Sequence, residues 1–277
     1  MTVTTSATVT PARAGSYRAA ATVPGGLAAE HRRLAAQAEL SWPQELSLLR
    51  RLGLDRCREL VEVGAGNGAV TRLLRRDFPG LTLTAVDIDP ELLDPRAGAD
   101  HTLVADAAAL PLPDSSADAV LLRFVVQHLN APAPALSEAV RVLRPGGLLL
   151  VTDVDAALWG VAEPFQPELT GVYRALQRAQ QGDGGNRLVA RRLTRLLTAA
   201  GCVDVALHSY VTTNDNRPTA DFAVHLGPDR LAPLVATGEL TVAELAQAAA
   251  AWSRFAADPQ AWVMLLGFTA VGRRPNR

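Results

Sequence analysis

A glycine-rich turn decides the fold of this chain: residues 61–70 read VEVGAGNGAV. The apolar run that ends at Val63 predicts a buried strand, and Gly64, Gly66 and Gly68 follow at every second position. Glycine permits a tight turn and, because it has no Cβ, lets a ligand approach the main chain. Open α/β sheets bind nucleotides at the carboxyl ends of their strands. The stretch therefore predicts a ligand-binding turn from a strand into a helix.

The composition limits which functions are open to the chain. Its 277 residues are 48% hydrophobic with a formal net charge of −1, which allows a large core and gives no general attraction to nucleic acid or anionic membrane. All 27 basic residues are arginine, which excludes a Schiff-base lysine and a Walker-type phosphate lysine. No apolar run reaches the roughly 18 residues that a membrane span needs. We expect a cytoplasmic protein with a small-molecule substrate, with neither nucleic acid nor membrane as partner, and with a homodimer as an open alternative to the monomer.

Strands and helices alternate through the middle of the chain, which predicts parallel strands connected by helices on both faces of a sheet. The predicted strands are Glu59–Val63, Leu81–Val86, Thr102–Val104, Ala119–Leu122, Leu148–Val154, Cys202–Val211 and Trp262–Val271. The predicted helices of this region are Ala69–Asp77, Ala135–Leu143, Gly171–Gln181 and Leu188–Ala200. Ahead of them, the leucine and alanine spacing from about Pro24 to Gly53 predicts helix, with Pro43 marking a new start.

Five segments follow from this pattern. We expect a disordered lead-in, an N-terminal helical lid, a Rossmann-like core, a helical cap insertion and a final core strand, over residues 1–20, 21–53, 54–212, 213–260 and 261–277. The cap holds two predicted helices, Thr219–Ala236 and Thr241–Ala257. A long insertion at a sheet edge is more often a lid or cap than a linker.

Two classes of adenosine-containing ligand fit the glycine turn. Gly64, Gly66 and Ala69 also match the dinucleotide pattern GxGxxA, and Asp87 follows at about the 20-residue distance of a ribose-binding acid. Glu62 favours the other class, because a carboxylate beside a pyrophosphate costs energy whereas an ammonium and a sulfonium attract it. Asp106, at the carboxyl end of the third strand, could accept a hydrogen bond from an adenine amine.

Four motifs in order resemble those of the class I S-adenosylmethionine-dependent methyltransferases: VEVGAGNG, VDIDPELL, DAAALPLPDSSAD and LRPGGLLLVTD. The similarity extends over roughly Leu60 to Asp155. It implies an α/β fold with a Rossmann-like, seven-stranded mixed sheet, whose antiparallel last strand is inserted between strands five and six. Helices would lie on both faces, together with a helical cap.

The resemblance also implies S-adenosylmethionine as cofactor and a role for each matching residue. The backbone of Gly64, Ala65 and Gly66 would pass the methionine portion, and Glu62 would face its amino group. The remaining implied contacts are the ribose hydroxyls for Asp87, an adenine face for Ile88, the adenine amine for Asp106 with Ala107 beside it, and the methionine end for Arg123. Two alternatives stay open: Glu62 as a cap of the turn, and Arg123 as a structural ion-pair partner.

The candidate catalytic residues are two histidines. Methyl transfer needs positioning, and needs a base only when the nucleophile must lose a proton. His128 follows the fourth strand and is either a base or a packing residue near the cofactor, and His225 could reach a substrate from the cap. No metal site is expected.

Aromatic residues flank the expected substrate pocket, and they favour a moderately large, largely apolar acceptor unless they only pack the cap onto the sheet. They are Tyr17, Trp42, Trp159, Phe165, Tyr173, Phe222, Trp252 and Phe255. The sequence thus predicts methyl transfer to a small metabolite in bacterial natural-product biosynthesis, such as antibiotic biosynthesis. The alternative is a methyltransferase-fold enzyme that binds S-adenosylmethionine but catalyses a cyclisation without methyl transfer.

Overall fold

The computed structural model describes residues 26–158 and 160–276. The expected lead-in over residues 1–20, with Tyr17, and also Trp159, lie outside the described residues. Within the described ranges, no helix combines the length and the apolar character that crossing a membrane requires.

The helices surround a central sheet, and their bounds are α1 (Gly26–Arg51), α2 (Ala69–Asp77), α3 (Pro132–Val142), α4 (Pro167–Gly182), α5 (Leu193–Ala199), α6 (Ala223–Leu226), α7 (Pro233–Ala236) and α8 (Val242–Ala257). The expected new start at Pro43 is wrong, because α1 runs through this proline without a break. A proline removes only one backbone hydrogen bond of a helix. The buried residues of α1 on both sides of Pro43 pack on the protein and stabilise a single helix, among them Ala38, Leu40, Leu48 and Leu49.

The strands are β1 (Glu59–Val63), β2 (Thr82–Asp87), β3 (His101–Val104), β4 (Ala117–Arg123), β5 (Leu143–Asp153), β6 (Val161–Glu163), β7 (Val203–Thr213) and β8 (Trp262–Arg273). The first five are parallel, in the order β3-β2-β1-β4-β5. β8 is antiparallel to β5 on one side and to β7 on the other, which confirms the predicted insertion. The short strand β6 pairs with the start of β8 and makes the sheet eight-stranded rather than seven-stranded.

Alternate residues of the buried strands point to two different helix layers. Val61, Val63 and Leu122 belong to a core cluster that includes residues of α3 and α5. Leu60 and Leu121 belong to a second cluster with residues of α1 and α2. Helices on both faces of the sheet are therefore confirmed, and the period-two pattern of a strand is what separates the layers.

The register of the parallel strands brings their carboxyl ends to one edge of the sheet. Val63 pairs with Val86 on one side and with Leu122 on the other. Asp87 pairs with Val104 on the next strand. The segments that follow β1, β2, β3 and β4 consequently lie side by side, where such sheets bind their ligands.

The segment between β7 and β8, residues 214–261, forms the cap segment. Its first predicted helix, Thr219–Ala236, is broken into short turns and the helices α6 and α7, with Gly227 and Pro233 at the breaks. Its second is α8, which begins at a capping box between Thr241 and Glu244.

Aromatic residues fasten the cap segment to the sheet. Phe222 and Phe255 share a cluster with Val263 and Leu265 of β8 and with Leu40 of α1. Trp252 packs against the same cluster.

Candidate active site

The glycines of the turn are required by close packing as well as by conformation. Gly64 has φ +74°, and a Cβ there would lie 2.3 Å from Cγ2 of Val125. Gly68 has φ +70°, and its Cβ would lie 2.0 Å from the Cβ of Ala97. L-residues avoid this left-handed region. The turn is therefore fixed by the segments packed on it, including the one that follows β4.

The backbone N–H groups of the turn are already bonded within the protein. Gly64 and Ala65 both donate to the carbonyl of Val86, at 2.7 and 3.0 Å. Gly66 donates to Oδ2 of Asp87 at 2.7 Å. A pyrophosphate site needs N–H donors of this kind for its phosphate oxygens. In this turn the N–H groups donate to acceptors within the protein, one of them a carboxylate, so they disfavour the binding of a dinucleotide. The acid at Glu62 disfavours it for the same reason of charge.

Asp87 and its neighbours form the side of the site expected for adenosine. Both carboxylate oxygens of Asp87 accept backbone N–H groups, from Gly66 at 2.7 Å and from Asp89 at 2.9 Å. Its burial raises the pKa of this carboxyl above its ordinary value. Ile88 is 47% exposed, although it is a large apolar residue beside a buried strand. An exposed apolar side chain next to an acid suits a flat ring attached to a ribose.

Asp106 and Ala107 follow β3, next to the strand end that carries Asp87 and Ile88. Asp106 is exposed, and its Oδ1 accepts the N–H of Ala108 at 2.9 Å. Val104, which pairs with Asp87, is 53% exposed and adds a second apolar surface. Sequence reasoning missed Val104, although its place directly before the ADAAAL stretch was a usable signal.

Glu62 lies under the turn and is 4% exposed. Its Oε2 accepts the hydroxyl of Thr71, on the first helical turns of α2, at 2.6 Å. Burial raises the pKa of Glu62 to about 7, although this hydrogen bond and the charge of Arg123 oppose the rise. Its carboxylate therefore fastens α2 to β1 and carries a negative charge that a nearby cation would favour.

Arg123 is turned towards α1. Its Nε and Nη2 donate to the two carboxylate oxygens of Glu45, both at 2.8 Å, and Nη2 also donates to Ser41. Both partners are buried, with side chains 8% and 5% exposed. This geometry matches the ion-pair alternative, and a contact with the methionine end stays a prediction. Two of the guanidinium nitrogens are committed to α1, so Arg123 joins that helix to the sheet.

The ring of His128 is oriented by Gln180, which is itself hydrogen-bonded to the buried Arg187. Arg187 donates to Oε1 of Gln180 at 3.2 Å, which leaves the amide nitrogen of Gln180 facing Nδ1 of His128 at 3.2 Å. Nδ1 must then accept, so the neutral imidazole carries its proton on Nε2. Burial, with the charges of Arg187, Arg230 and Arg33, lowers the pKa of His128 to about 3.

His225 is held in the same way from the other side. Arg33 donates to Oε1 of Gln37 at 3.0 Å, and the amide nitrogen of Gln37 faces Nδ1 of His225 at 3.4 Å. The proton of the neutral ring again lies on Nε2. Burial lowers the pKa of His225 well below its ordinary value, and Arg230 adds to the effect. The hydroxyl of Tyr173 donates to the carbonyl of His225 at 2.6 Å.

These residues form one group, which we call the basic cluster: Arg33, Arg187, Arg230, His128, His225 and Tyr173. It draws on α1, on the turn after β4, on α4, on the segment before α5 and on the cap segment. The positive charges of Arg33, Arg187 and Arg230 all bear on the pKa values of His128, Tyr173 and His225. Sequence reasoning found the histidines and the tyrosine but none of the arginines, because no local motif links them.

The basic cluster adjoins the glycine turn. Asn67 of the turn donates to the carbonyl of His31 on α1 at 2.9 Å, two residues before Arg33. Val125 packs on Gly64, and its carbonyl accepts the N–H of His128 at 2.9 Å. His128 therefore lies close to the glycine turn, and a shared site for the two histidines and the donor stays a prediction.

Most of the expected aromatic wall lies elsewhere. Trp42 is 2% exposed and donates from Nε1 to Asp77 of α2 at 2.7 Å. Phe165 is 67% exposed. Phe222 and Phe255 belong to the cap cluster, on which Trp252 and Tyr173 also pack. Of the expected aromatic residues that the structure describes, Tyr173 alone contacts a candidate catalytic residue, through the carbonyl of His225. Packing of the cap, the alternative interpretation, accounts for Phe222 and Phe255.

A cavity of about 10 Å³, room for about one water molecule, adjoins the site. It is lined by Ser41, Phe124, Tyr210, Thr212, His225, Leu265 and Gly267. The hydroxyl of Thr212 is buried there without a hydrogen-bond partner in the structure.

The geometry defines a Rossmann-like sheet whose first strand-to-helix turn is suited to a cationic adenosine derivative. Residues 61–151 match the model of a family described as a methyltransferase domain. Over this range the chain is therefore similar to S-adenosylmethionine-dependent methyltransferases.

Curated relatives are similar to part of the chain. A malonyl-(acyl-carrier protein) O-methyltransferase from Hahella chejuensis is 31% identical over 156 residues, 54% of this chain and 50% of the relative. A demethylmenaquinone methyltransferase from Tropheryma whipplei is 35% identical over 109 residues, 38% of this chain and 45% of the relative. The chain thus spans about half the length of the curated relatives it matches.

The fold also resembles solved structures. A phosphoethanolamine N-methyltransferase from Haemonchus contortus, in complex with phosphomonomethylethanolamine and S-adenosylhomocysteine, superposes with a TM-score of 0.53 at 19% identity. The match covers 87% of this chain and 56% of that chain. At this identity the likeness concerns the fold.

Proposed function

We propose that this protein transfers the methyl group of S-adenosylmethionine to a small-molecule acceptor. S-adenosylmethionine supplies a methyl carbon already activated by its sulfonium, so the protein has mainly to bind and orient the two reactants. A small acceptor group is supported by the curated relatives, since one is named for demethylmenaquinone and another for a malonyl group carried on an acyl-carrier protein. A place in bacterial natural-product biosynthesis stays a prediction, supported by the style of the motifs and by the cap.

One observation carries the proposal: the glycine turn offers bare backbone and acids rather than free N–H donors. The N–H groups of Gly64, Ala65 and Gly66 are bonded internally, the last to the carboxylate of Asp87. The buried carboxyl of Glu62 lies behind the turn. This chemistry suits a ligand with an ammonium, a sulfonium and a ribose, and opposes a pyrophosphate.

Each residue then has an assigned part. Asp87 holds the ribose hydroxyls, Ile88 and Val104 lie against the adenine, and Asp106 with the backbone of Ala107 takes its amine. Glu62 matches the positive charge of the methionine portion.

The histidines favour positioning over proton removal. In both His128 and His225 the Nδ1 lone pair accepts from a glutamine and Nε2 carries the proton. A base needs a free lone pair facing the proton it removes. In this arrangement we assign both rings to positioning.

Calorimetric titration tests the proposal directly. We expect S-adenosylmethionine and S-adenosylhomocysteine to bind at one site, and NAD not to compete. Incubation with a methyl-labelled donor and candidate acceptors should release S-adenosylhomocysteine in step with labelled product. Binding of NAD in place of the donor would refute the proposed site. Conversion of an acceptor without release of S-adenosylhomocysteine would indicate a non-methylating reaction such as cyclisation.

A further inference from the structure

Arg187 is a buried cation without a neutralising partner. Its side chain is 9% exposed, and its Nη1 donates to amide oxygens of Gln127 and Gln180 at 3.4 and 3.2 Å. Among the residues that the structure describes, no carboxylate oxygen lies within 4.0 Å of its guanidinium. Burying a charge is costly unless an opposite charge compensates it. Arg187 therefore has binding capacity for an anion.

Arg230 adds a second positive charge in the surroundings of Arg187. Burial, with the charge of Arg230 beside it, lowers the pKa of Arg187 to about 10. Arg33 is neutralised separately by both carboxylate oxygens of Glu30, at 2.6 and 2.8 Å.

Asp153 favours the charged form of Arg187, but among the described residues it lies beyond salt-bridge distance of it. Both oxygens of Asp153 accept main-chain N–H groups, from Gln127 and from Val154, each at 2.9 Å. Burial raises the pKa of Asp153 to about 7, so much of its charge is lost near neutral pH.

The uncharged groups of the basic cluster are arranged as donors. Gln180 and Gln37 fix the protons of His128 and His225 on Nε2. Neither ring therefore has a lone pair on Nε2 that would repel an anion. Tyr173 remains un-ionised, because burial raises its pKa to about 12. A carboxylate or a phosphate fits the planar fork of an arginine such as Arg187.

We propose that the methyl acceptor carries an anionic group, a carboxylate or a phosphate, and that Arg187 binds it with Arg230 alongside. This inference rests on the proposed function, since it assigns the acceptor of that same site. An acceptor with an anionic group replaces the largely apolar acceptor that the aromatic residues predicted. Of those aromatic residues, Phe222, Phe255 and Trp252 pack in the cap cluster and Trp42 packs between helices. Arg187 acts here as a specificity-determining residue, while the donor is held on the other side of the site.

Binding of small anions to the protein saturated with S-adenosylhomocysteine tests the inference. The probes are malonate and inorganic phosphate, with malonamide as an uncharged match for malonate. We expect malonate or phosphate to bind the wild type, malonamide not to compete, and Arg187→Gln to weaken anion binding at least tenfold. Comparing malonate with phosphate distinguishes a carboxylate site from a phosphate site. Arg195→Gln is the matched control, because Arg195 is exposed on α5 and its loss removes the same charge.

The outcomes separate this inference from the proposed function. If the wild type does not bind S-adenosylhomocysteine, the methyltransferase function itself is contradicted. Normal S-adenosylhomocysteine binding with equal anion affinity in the wild type and Arg187→Gln, or with malonamide binding as well as malonate, would overturn only the anion site. If Arg187→Gln does not fold, Arg230→Gln replaces it, because Arg230 is only partly buried, and an unchanged anion affinity there would overturn the proposal equally.

Discussion

Three acids lie at the strand ends around the glycine turn, where Arg72 also donates to the carbonyl of Asn67. Across the site, between α1, α4 and the cap segment, arginines and uncharged histidines predominate. The donor side, as we call the first region, consists of Glu62, Asp87 and Asp106 with main chain at the ends of adjacent strands. The acceptor side is the basic cluster, in which the buried Arg187 has no carboxylate oxygen of the described residues within 4.0 Å. A cationic donor and an anionic acceptor would each meet opposite charge, so the difference between the sides indicates how the two reactants are told apart.

The two sides also differ in what holds them in place. On the donor side, short hydrogen bonds between neighbouring strand ends fix the geometry, such as the one from Gly66 to Asp87. On the acceptor side, side chains from distant elements are positioned by one another, through Gln37 and Gln180. The substitutions below separate the two kinds of support, beginning with the largest expected effect.

Breaking the joint between α1 and the sheet should have the largest effect. Glu45→Gln leaves Arg123 buried beside Ser41 without its counter-ion, because Glu45 provides both carboxylate oxygens of the pair. We expect the free energy of unfolding to fall by about 3–5 kcal/mol. Denaturant unfolding followed by circular dichroism measures this loss.

Glu39→Gln is the control on the same helix, because Glu39 is exposed and reaches Arg76 only at 3.8 Å. It should change the free energy of unfolding by less than about 1 kcal/mol. Equal losses in the two variants would show that the buried pair is not what fastens α1 to β4.

Adding one methyl group to the glycine turn should damage the donor side. Gly64→Ala must accept φ +74° and a contact of 2.3 Å with Val125. We expect a loss of about 2–4 kcal/mol in the free energy of unfolding, and donor binding weakened with it. Gly80→Ala is the matched control, since nothing lies within 4 Å of its Cβ position. Wild-type stability of Gly64→Ala in thermal denaturation would contradict this account of the turn.

The donor side was predictable from the sequence because its residues belong to short local patterns. The glycine turn, Asp87 and Asp106 each follow a recognisable strand, and parallel pairing brings strand ends together without further information. The place of β8 was implied by the family resemblance rather than by a local pattern.

The acceptor side was not predictable in this way. Arg33, Arg187 and Arg230 come from three elements far apart in the chain, and no spacing distinguishes them from the exposed arginines. Other misses also have local causes. β6 has three residues, too few for a period-two pattern, and Pro43 is retained inside α1 because tertiary packing outweighs one missing hydrogen bond.

Removing one charge from the donor side should weaken donor binding with little effect on the acceptor side. Asp87→Asn loses the charged hydrogen bonds that we assign to the ribose, and we expect the binding free energy of S-adenosylhomocysteine to fall by about 1–3 kcal/mol. Calorimetry measures it. Asp94→Asn is the control, because Asp94 makes a similar turn contact, to the N–H of Arg96, on the surface. Malonate affinity should be unchanged in both variants, and a parallel loss in Asp87→Asn would mean that the two sides are not independent.

The pH dependence of donor affinity gives the smallest and most specific test of charge matching. The pKa of Glu62 is raised to about 7, and a cationic donor favours its ionised form, so binding should release a proton below that value. Donor affinity should therefore fall about tenfold from pH 8 to pH 6, and the fall should disappear in Glu62→Gln. Asp153 titrates in the same range but is retained in that variant, so it cannot account for a difference between the two proteins. If Glu62→Gln keeps the wild-type pH dependence, Glu62 does not sense the charge of the donor, and its contact with Thr71 is then its main role.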